Sequence, residues 1–262
     1  MTGPNVDFEQ RDRVCVVRFD GGDRRNAFSS ALLQAMIDAA RRFERDARTS
    51  AVVLTGRPEV FSMGFDLNDA RAVGALPFDE RRNAMALGAR MCDAWGAVEP
   101  VVIAAVEGWC VGGGVALAGA CDLRIAAEGS TFYVPEIERG MNLAWGAVPK
   151  LVALCGPART KRLIIAAEQV GAAQAVAWGL ADEVAPRGGA LEAALAYAQR
   201  IAAMPPVQVR MIKQSVDAAA FALARAVSAL DRDQFLLAQT SGDHAEAIAA
   251  FLEKRAPRYA GR

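Results

Sequence analysis

Histidine is almost absent from this chain: His244 is the only one in 262 residues. A metal centre built from several histidines is thereby excluded, and a histidine-based nucleophilic triad has one candidate. Beside Asp243 and among polar neighbours, His244 reads as a helix-surface residue. Cysteine is sparse as well. Cys15, Cys92, Cys110, Cys121 and Cys155 are odd in number, scattered, free of any CxxC pair and mostly set among apolar residues, the pattern of buried free thiols in a reducing compartment. An excess of either charge is missing, since 30 Lys and Arg balance 30 Asp and Glu, and no basic field exists to hold nucleic acid or an anionic membrane. No apolar run reaches membrane-spanning length, and Met1 to Gln10 lacks the charged start, apolar stretch and cleavage site of a signal peptide. A cytoplasmic protein without nucleic-acid or membrane partners and without a bound metal is expected.

What the chain does have is apolar material, 53% of its residues, enough for a large buried core. Short β-branched runs at Val14–Phe19, Ala51–Thr55, Val101–Val106 and Asp122–Ala126 alternate with longer segments of helical spacing, which predicts an α/β fold. Between the first two strands, Ser29 or Ser30 caps a helix whose apolar face carries Leu32, Leu33, Met36, Ile37, Ala40 and Phe43. After about residue 200 the pattern changes. Pro205 and Pro206 break the chain, and the remainder through Lys254 reads as helix, with an alanine-rich helix over Ala218–Ala229 that is short of bulky core residues and expected to finish its burial against another subunit.

Three segments carry chemistry. In PVVIAAVEGWCVGGGVALAGACDLRIAA, a buried-type strand runs into Gly112, Gly113 and Gly114 and then a small-residue helix. Consecutive glycines let a ligand or another backbone approach closely, and the helix start leaves N–H groups and a positive dipole end free for a developing oxyanion. Leu117 breaks a GxGxxG fingerprint and Gly114 stands where a P-loop needs lysine, so neither phosphate motif applies. The triplet alone is equally consistent with tight strand-to-helix packing. VFSMGFDL, Val60–Leu67, supplies a second glycine turn at Gly64, after which the Phe65 N–H can enter a cleft; two such donors stabilise a carbonyl oxygen that gains charge. In TFYVPEIERG, Glu136 stands among Phe132, Ile137, Met141 and Trp145, where desolvation raises a carboxylate's pKa toward neutrality, although a glutamate that merely caps a turn would look the same.

These segments resemble the crotonase superfamily, the enoyl-CoA hydratase/isomerase family, over nearly the whole chain. Arg25-Asn26-Ala27 is similar to the family's R/K-x-N-A turn; Phe61, Gly64, Asp66 and Leu67 match FxxGxDL; Gly112 to Ala126 match GGGxxLAxxCDxRIA; Ala172–Leu180 and the ending FLEKRAPRYAGR match later patterns. The resemblance implies a spiral of ββα units, with residues 1–200 forming an acyl-CoA-binding core and 201–262 a C-terminal helical trimerisation region, assembled as a homotrimer or hexamer. It implies oxyanion donors at Phe65 and Gly113 and an acid/base at Glu136. Substrate contacts are implied for Arg25 and Ala27, for Met63, Gly64, Asp66 and Leu67, and for Gly112, Ala116, Phe132 and Trp145. Phe251 and Lys254 are implied to touch the coenzyme A of a neighbouring subunit. Asp122 and Arg124 read as structural. No cofactor is implied, since coenzyme A is part of the substrate.

One position departs from the pattern. Hydratases with two catalytic glutamates place one where this chain has Ala116. A lone carboxylate suits a double-bond shift, taking a proton from C2 and returning it to C4, while hydration of an enoyl-CoA loses half its usual pair. The GWCxGGG stretch also resembles feruloyl-CoA-type hydratases, in which Tyr133 would be a helper; a non-catalytic acyl-CoA binder is the remaining alternative. Dehalogenase chemistry needs an aspartate that Met141 to Trp145 do not offer. Asn142 and Trp145 are expected to shape the acyl pocket.

Overall fold

A computed structural model describes residues 3–222 and 224–261, without the side chains of residues 225, 226 and 229. Met1 and Thr2 of the N-terminal stretch and Arg262, the last residue of the matched C-terminal ending, therefore lie outside the described residues. A hairpin, β1 (Asn5–Arg11) and β2 (Val14–Asp20), leads to α1 (Ser30–Arg41), then β3 (Ala51–Thr55) and β4 (Val60–Ser62). Helices α2 (Leu67–Gly74), α3 (Phe78–Ala84) and α4 (Leu87–Ala97) follow. Next come β5 (Val101–Val106), β6 (Trp109–Val111), α5 (Gly113–Ala120), β7 (Leu123–Ala127) and β8 (Thr131–Tyr133), a 3₁₀ turn (Glu136–Arg139) and α6 (Ala147–Ile165). The last units are β9 (Val170–Gly171), α7 (Ala172–Trp178), β10 (Glu183–Ala185), α8 (Ala190–Ala202), α9 (Pro206–Ala220), α10 (Ala224–Ala238) and α11 (Gly242–Glu253).

Successive strand pairs divide between two sheets. The large sheet runs β1-β2-β3-β5-β7-β10 and the small one β4-β6-β8-β9. Each of the pairs β3/β4, β5/β6 and β7/β8 therefore gives its first strand to one sheet and its second to the other, which is the expected spiral of ββα units. Apart from the β1–β2 hairpin, the large sheet is parallel, with Val14 to Arg18 in register with Ala51 to Thr55 and those with Val101 to Ala105. Both faces are covered, so the strands need no polar alternation. Cys15, Val17 and Phe19 join a core with α1, α4 and α5, while Val14 and Val16 pack toward Ala190, Ala194, Leu195 and Ala198 of α8.

The four strands expected from sequence are β2, β3, β5 and β7. The helix cap is Ser29, whose hydroxyl accepts from Leu32 N at 3.1 Å, and the six residues of the apolar face are buried. All five cysteines are free and buried. From Pro206 to Glu253 the described residues are mainly helical, but Ala218–Ala229 is not one helix: α9 ends at Ala220, Phe221 leaves the helical region (φ −113°, ψ 21°), and α10 starts at Ala224. The run has high helix propensity, yet it is divided between two helices, and α10 lies on α6. There Asp231 accepts from Gly146 N at 3.1 Å, a buried carboxylate capping the start of α6. Helix α9 is moored by Lys213 to Asp122 (2.7 Å) and by Arg210 to the Asp46 carbonyl (3.0 Å), with Val207, Met211, Ile212 and Val216 left exposed. Among the described residues, no helix is long and apolar enough to cross a membrane.

Candidate active site

The carboxyl ends of β2, β4, β6 and β8 open on one cavity of about 240 Å³, the place where open α/β sheets take ligands. Its floor comes from the loop after β4. Phe28 N donates to Gly64 O at 2.8 Å, and Asp66 N donates to Phe28 O at 3.0 Å, forming a short parallel bridge. Alternate residues of an extended segment point their backbone groups to opposite sides. The N–H of Phe65, between the two bonded residues, therefore faces away from Phe28, and among the described residues it has no partner.

The second N–H comes from α5. Gly112 N donates to Tyr133 O at 2.8 Å, and Gly112 itself adopts φ 51°, ψ −109°, a conformation open to glycine. That turn makes Gly113 the first helical residue, so its N–H has no intrahelical acceptor and sits at the positive end of the dipole. The two donors are neighbours. Gly64 has φ 85°, and a Cβ added to it would lie 3.4 Å from Gly113 N and 3.0 Å from Val111 O. A buried polar clamp holds the floor in place: Asn26 Nδ2 donates to Phe61 O (2.8 Å), its Oδ1 accepts from Gly21 N (2.7 Å), and Ser62 Oγ donates to Asn26 O (2.9 Å).

Glu136 opens the 3₁₀ turn after β8 and faces this pair of donors. A side chain on Gly112 would overlap its Oε1, so glycine there leaves room for the carboxylate. Oε2 is buried without a hydrogen-bond partner. Burial pushes the Glu136 carboxyl up to about 7, with its own backbone N–H and the Arg139 charge opposing only in part. A group poised there can accept or return a proton near neutrality. The cavity's other carboxylate, Asp66, is occupied: it caps α2 through Asn68 N and Asp69 N and lies 3.6 Å from Arg25.

A model of the enoyl-CoA hydratase/isomerase family matches residues 9–262. The chain belongs to that family. A probable enoyl-CoA hydratase of Mycobacterium leprae is 33% identical over 95% of each chain, and the 2,3-dehydroadipyl-CoA hydratase of Escherichia coli is 30% identical over 97% of each. The crystal structure of carnitinyl-CoA hydratase from Mycobacterium avium superposes with a TM-score of 0.85 at 32% identity, covering 98% of both chains. The two-sheet spiral described above is thus the crotonase fold.

Against this crotonase frame, the cavity wall gathers Glu136, Phe65 and Gly113 together with Arg25, Ala27, Met63, Gly64, Asp66, Leu67, Gly112 and Trp145. Trp145 has φ 66°, stands edge-on to Phe65 with centroids 6.2 Å apart, and fits because Gly88 and Gly113 have no side chains. Ala116 and Phe132 are not on the wall: both are buried in the core, one turn into α5 and on the inner face of β8. Phe251 and Lys254 close α11 and do not line the cavity of this chain, although the Phe251 ring lies behind Arg139. Asn142 is exposed, and Tyr133 turns from the cavity to donate to Glu138 at 2.5 Å, so neither serves this pocket. Asp122 and Arg124 hold structure, bonding Val102 N at 2.7 Å and the Cys121 carbonyl at 2.8 Å.

His244 is a correction of another kind. It is half-buried, because α11 docks on the 3₁₀ turn, where the His244 ring nitrogen Nδ1 bonds the Arg139 carbonyl at 2.8 Å. The residues that sequence reasoning missed are Arg139 and the roof supplied by α10 and the turn after it, namely Arg232, Phe235 and Gln239.

Proposed function

We propose that the chain moves a proton at the α-carbon of an acyl-CoA thioester through an enolate, with Glu136 as its only acid/base, and that its reaction is the shift of a 3-enoyl to a 2-enoyl double bond. The observation that carries this reading is the buried, unpartnered Oε2 of Glu136 in a cavity that also presents two unpartnered backbone N–H groups. The ionised carboxylate removes a C2 proton, and the electron pair passes to the thioester oxygen. The N–H groups of Phe65 and Gly113 hold the resulting dienolate, each donor contributing roughly 3 kcal/mol of transition-state stabilisation. The carboxylic acid then returns the proton to C4, the double bond settles between C2 and C3, and Glu136 is again ionised.

Hydration is the second reading, favoured by the hydratase names of the relatives. It has less support from the site, because Ala116 is in the core, Tyr133 bonds Glu138 and Asp66 is committed to the α2 cap, leaving no second free carboxylate to work with Glu136 on a water. The same geometry weakens the feruloyl-type reading. The relatives' names differ in acyl group and leave it open. Assembly as a homotrimer or hexamer is part of the proposal, supported by the exposed apolar residues of α9.

Ultraviolet absorbance of the conjugated thioester separates these reactions: it should grow when 3-enoyl-CoA is offered, whereas hydration would consume it from 2-enoyl-CoA. Because only the ionised carboxylate accepts a proton, kcat/KM should fall about tenfold per pH unit below the Glu136 pKa of about 7 and level off above it. Turnover of neither thioester, or a rate flat between pH 5 and about 8, would count against Glu136 as the base.

A further inference from the structure

Arg139 enters the same cavity as Glu136 and makes no salt bridge among the described residues. It lines the wall, and its Nε is buried without a hydrogen-bond partner. The cavity's other arginines are neutralised. Arg25 lies 3.0 Å from Asp23 and 3.6 Å from Asp66, while Arg232 lies 3.2 Å from Asp233, which also meets Arg82 at 3.4 Å. A partly buried guanidinium with an unpaired Nε–H gains from an anion, so its position makes sense when a ligand supplies one.

The local geometry aims it. Residues three apart in a 3₁₀ turn eclipse one another, so Glu136 and Arg139 project from the same side of the turn, displaced by roughly 6 Å along it. The turn is held from outside: His244 bonds the Arg139 carbonyl at 2.8 Å, and the Phe251 ring backs the guanidinium with its centroid 5.2 Å away. Gln239, just past the end of α10, reaches the same wall, and its amide has no side-chain hydrogen bond among the described residues. A charged fork and a neutral donor thus line the same cavity as the carboxylate that would work on the α-carbon. No free carboxylate other than Glu136 faces them, which disfavours a cationic acyl group.

We propose that Arg139, assisted by Gln239, receives an anionic group at the distal end of the acyl chain, so that the preferred substrates are thioesters whose acyl part ends in a carboxylate. This rests on the reading of Glu136 as the group that meets the α-carbon.

Binding of saturated acyl-CoAs isolates the distal contact, since both members of each pair share coenzyme A and thioester. Isothermal calorimetry should find adipoyl-CoA bound at least about tenfold more tightly than hexanoyl-CoA, or succinyl-CoA than butyryl-CoA, the range of a charge-assisted bidentate pair. Arg139→Leu should bring the ratio to one or below, and Arg139→Lys, which keeps charge but not the fork, should give an intermediate ratio. Ratios of one or less in the wild type for both pairs would overturn the proposal, as would a preference that persists in the leucine variant. If the leucine variant does not fold, the wild-type ratios and the lysine variant decide. Failure of the Glu136 reading is distinguishable, because it would appear as absent turnover with these ratios unaffected.

Discussion

Glu136→Gln is expected to lower kcat by about 10²–10⁴-fold, while acyl-CoA dissociation constants stay within about threefold. Glutamine keeps the shape of the side chain and removes its ability to take a proton. No other group can substitute: Asp66 is committed to the α2 cap, and Tyr133 and His244 are bonded elsewhere. The loss would not come from unfolding. In the folded protein the Glu136 carboxyl titrates near about 7, against an ordinary 4.5. Below the lower value it is neutral in both states; as pH rises between the two, the unfolded chain ionises first and the folded state loses stability; above the upper value the full penalty applies. Removing the carboxylate should therefore leave the melting temperature at about pH 8 unchanged or higher, as differential scanning fluorimetry would show. Retention of wild-type turnover would refute the assignment.

Gly112→Ala should be comparably damaging, with kcat falling by at least about 10²-fold, the usual effect of losing one oxyanion donor. Two causes add. The backbone at φ 51°, ψ −109° is strained for any residue with a Cβ, and the new methyl would overlap Glu136 Oε1, so that either the carboxylate or the start of α5 must move. Either movement separates the base from the Gly113 N–H. Helix α5 also provides the comparison. At Gly119 a Cβ would meet only Leu151 Cδ2 at 3.9 Å, ordinary contact, so Gly119→Ala should retain activity and be neutral or stabilising by up to about 1 kcal/mol. Equal steady-state rates for the two variants would contradict the account of Gly112.

Much of this site is legible in sequence because its demands are local. A glycine at positive φ, as at Gly64 and Gly112, and an apolar neighbourhood around Glu136 leave traces within a few residues. Strands β2, β3, β5 and β7 were readable for a related reason: buried on both faces, they are continuous apolar runs. The strands of the small sheet are two or three residues long and carry no such run. The direction of Tyr133 depends on Glu138 across a turn, and the role of Asn26 depends on Phe61, 35 residues away. The α10 roof is the extreme case. Arg232, Phe235 and Gln239 reach the cavity only because the chain turns at residues 221 and 222 and Asp231 docks on Gly146, a contact spanning 85 residues that no local pattern encodes.

The central claim, that Glu136 moves a proton at the α-carbon of a bound thioester, is tested most directly by hydrogen exchange at C2. A saturated acyl-CoA incubated in D₂O with the wild-type protein should take up deuterium at C2, followed by mass spectrometry or proton NMR, and Glu136→Gln should reduce that uptake to the uncatalysed rate. A wild-type protein that binds the thioester yet leaves C2 unexchanged, or a glutamine variant that exchanges it equally fast, would contradict the account.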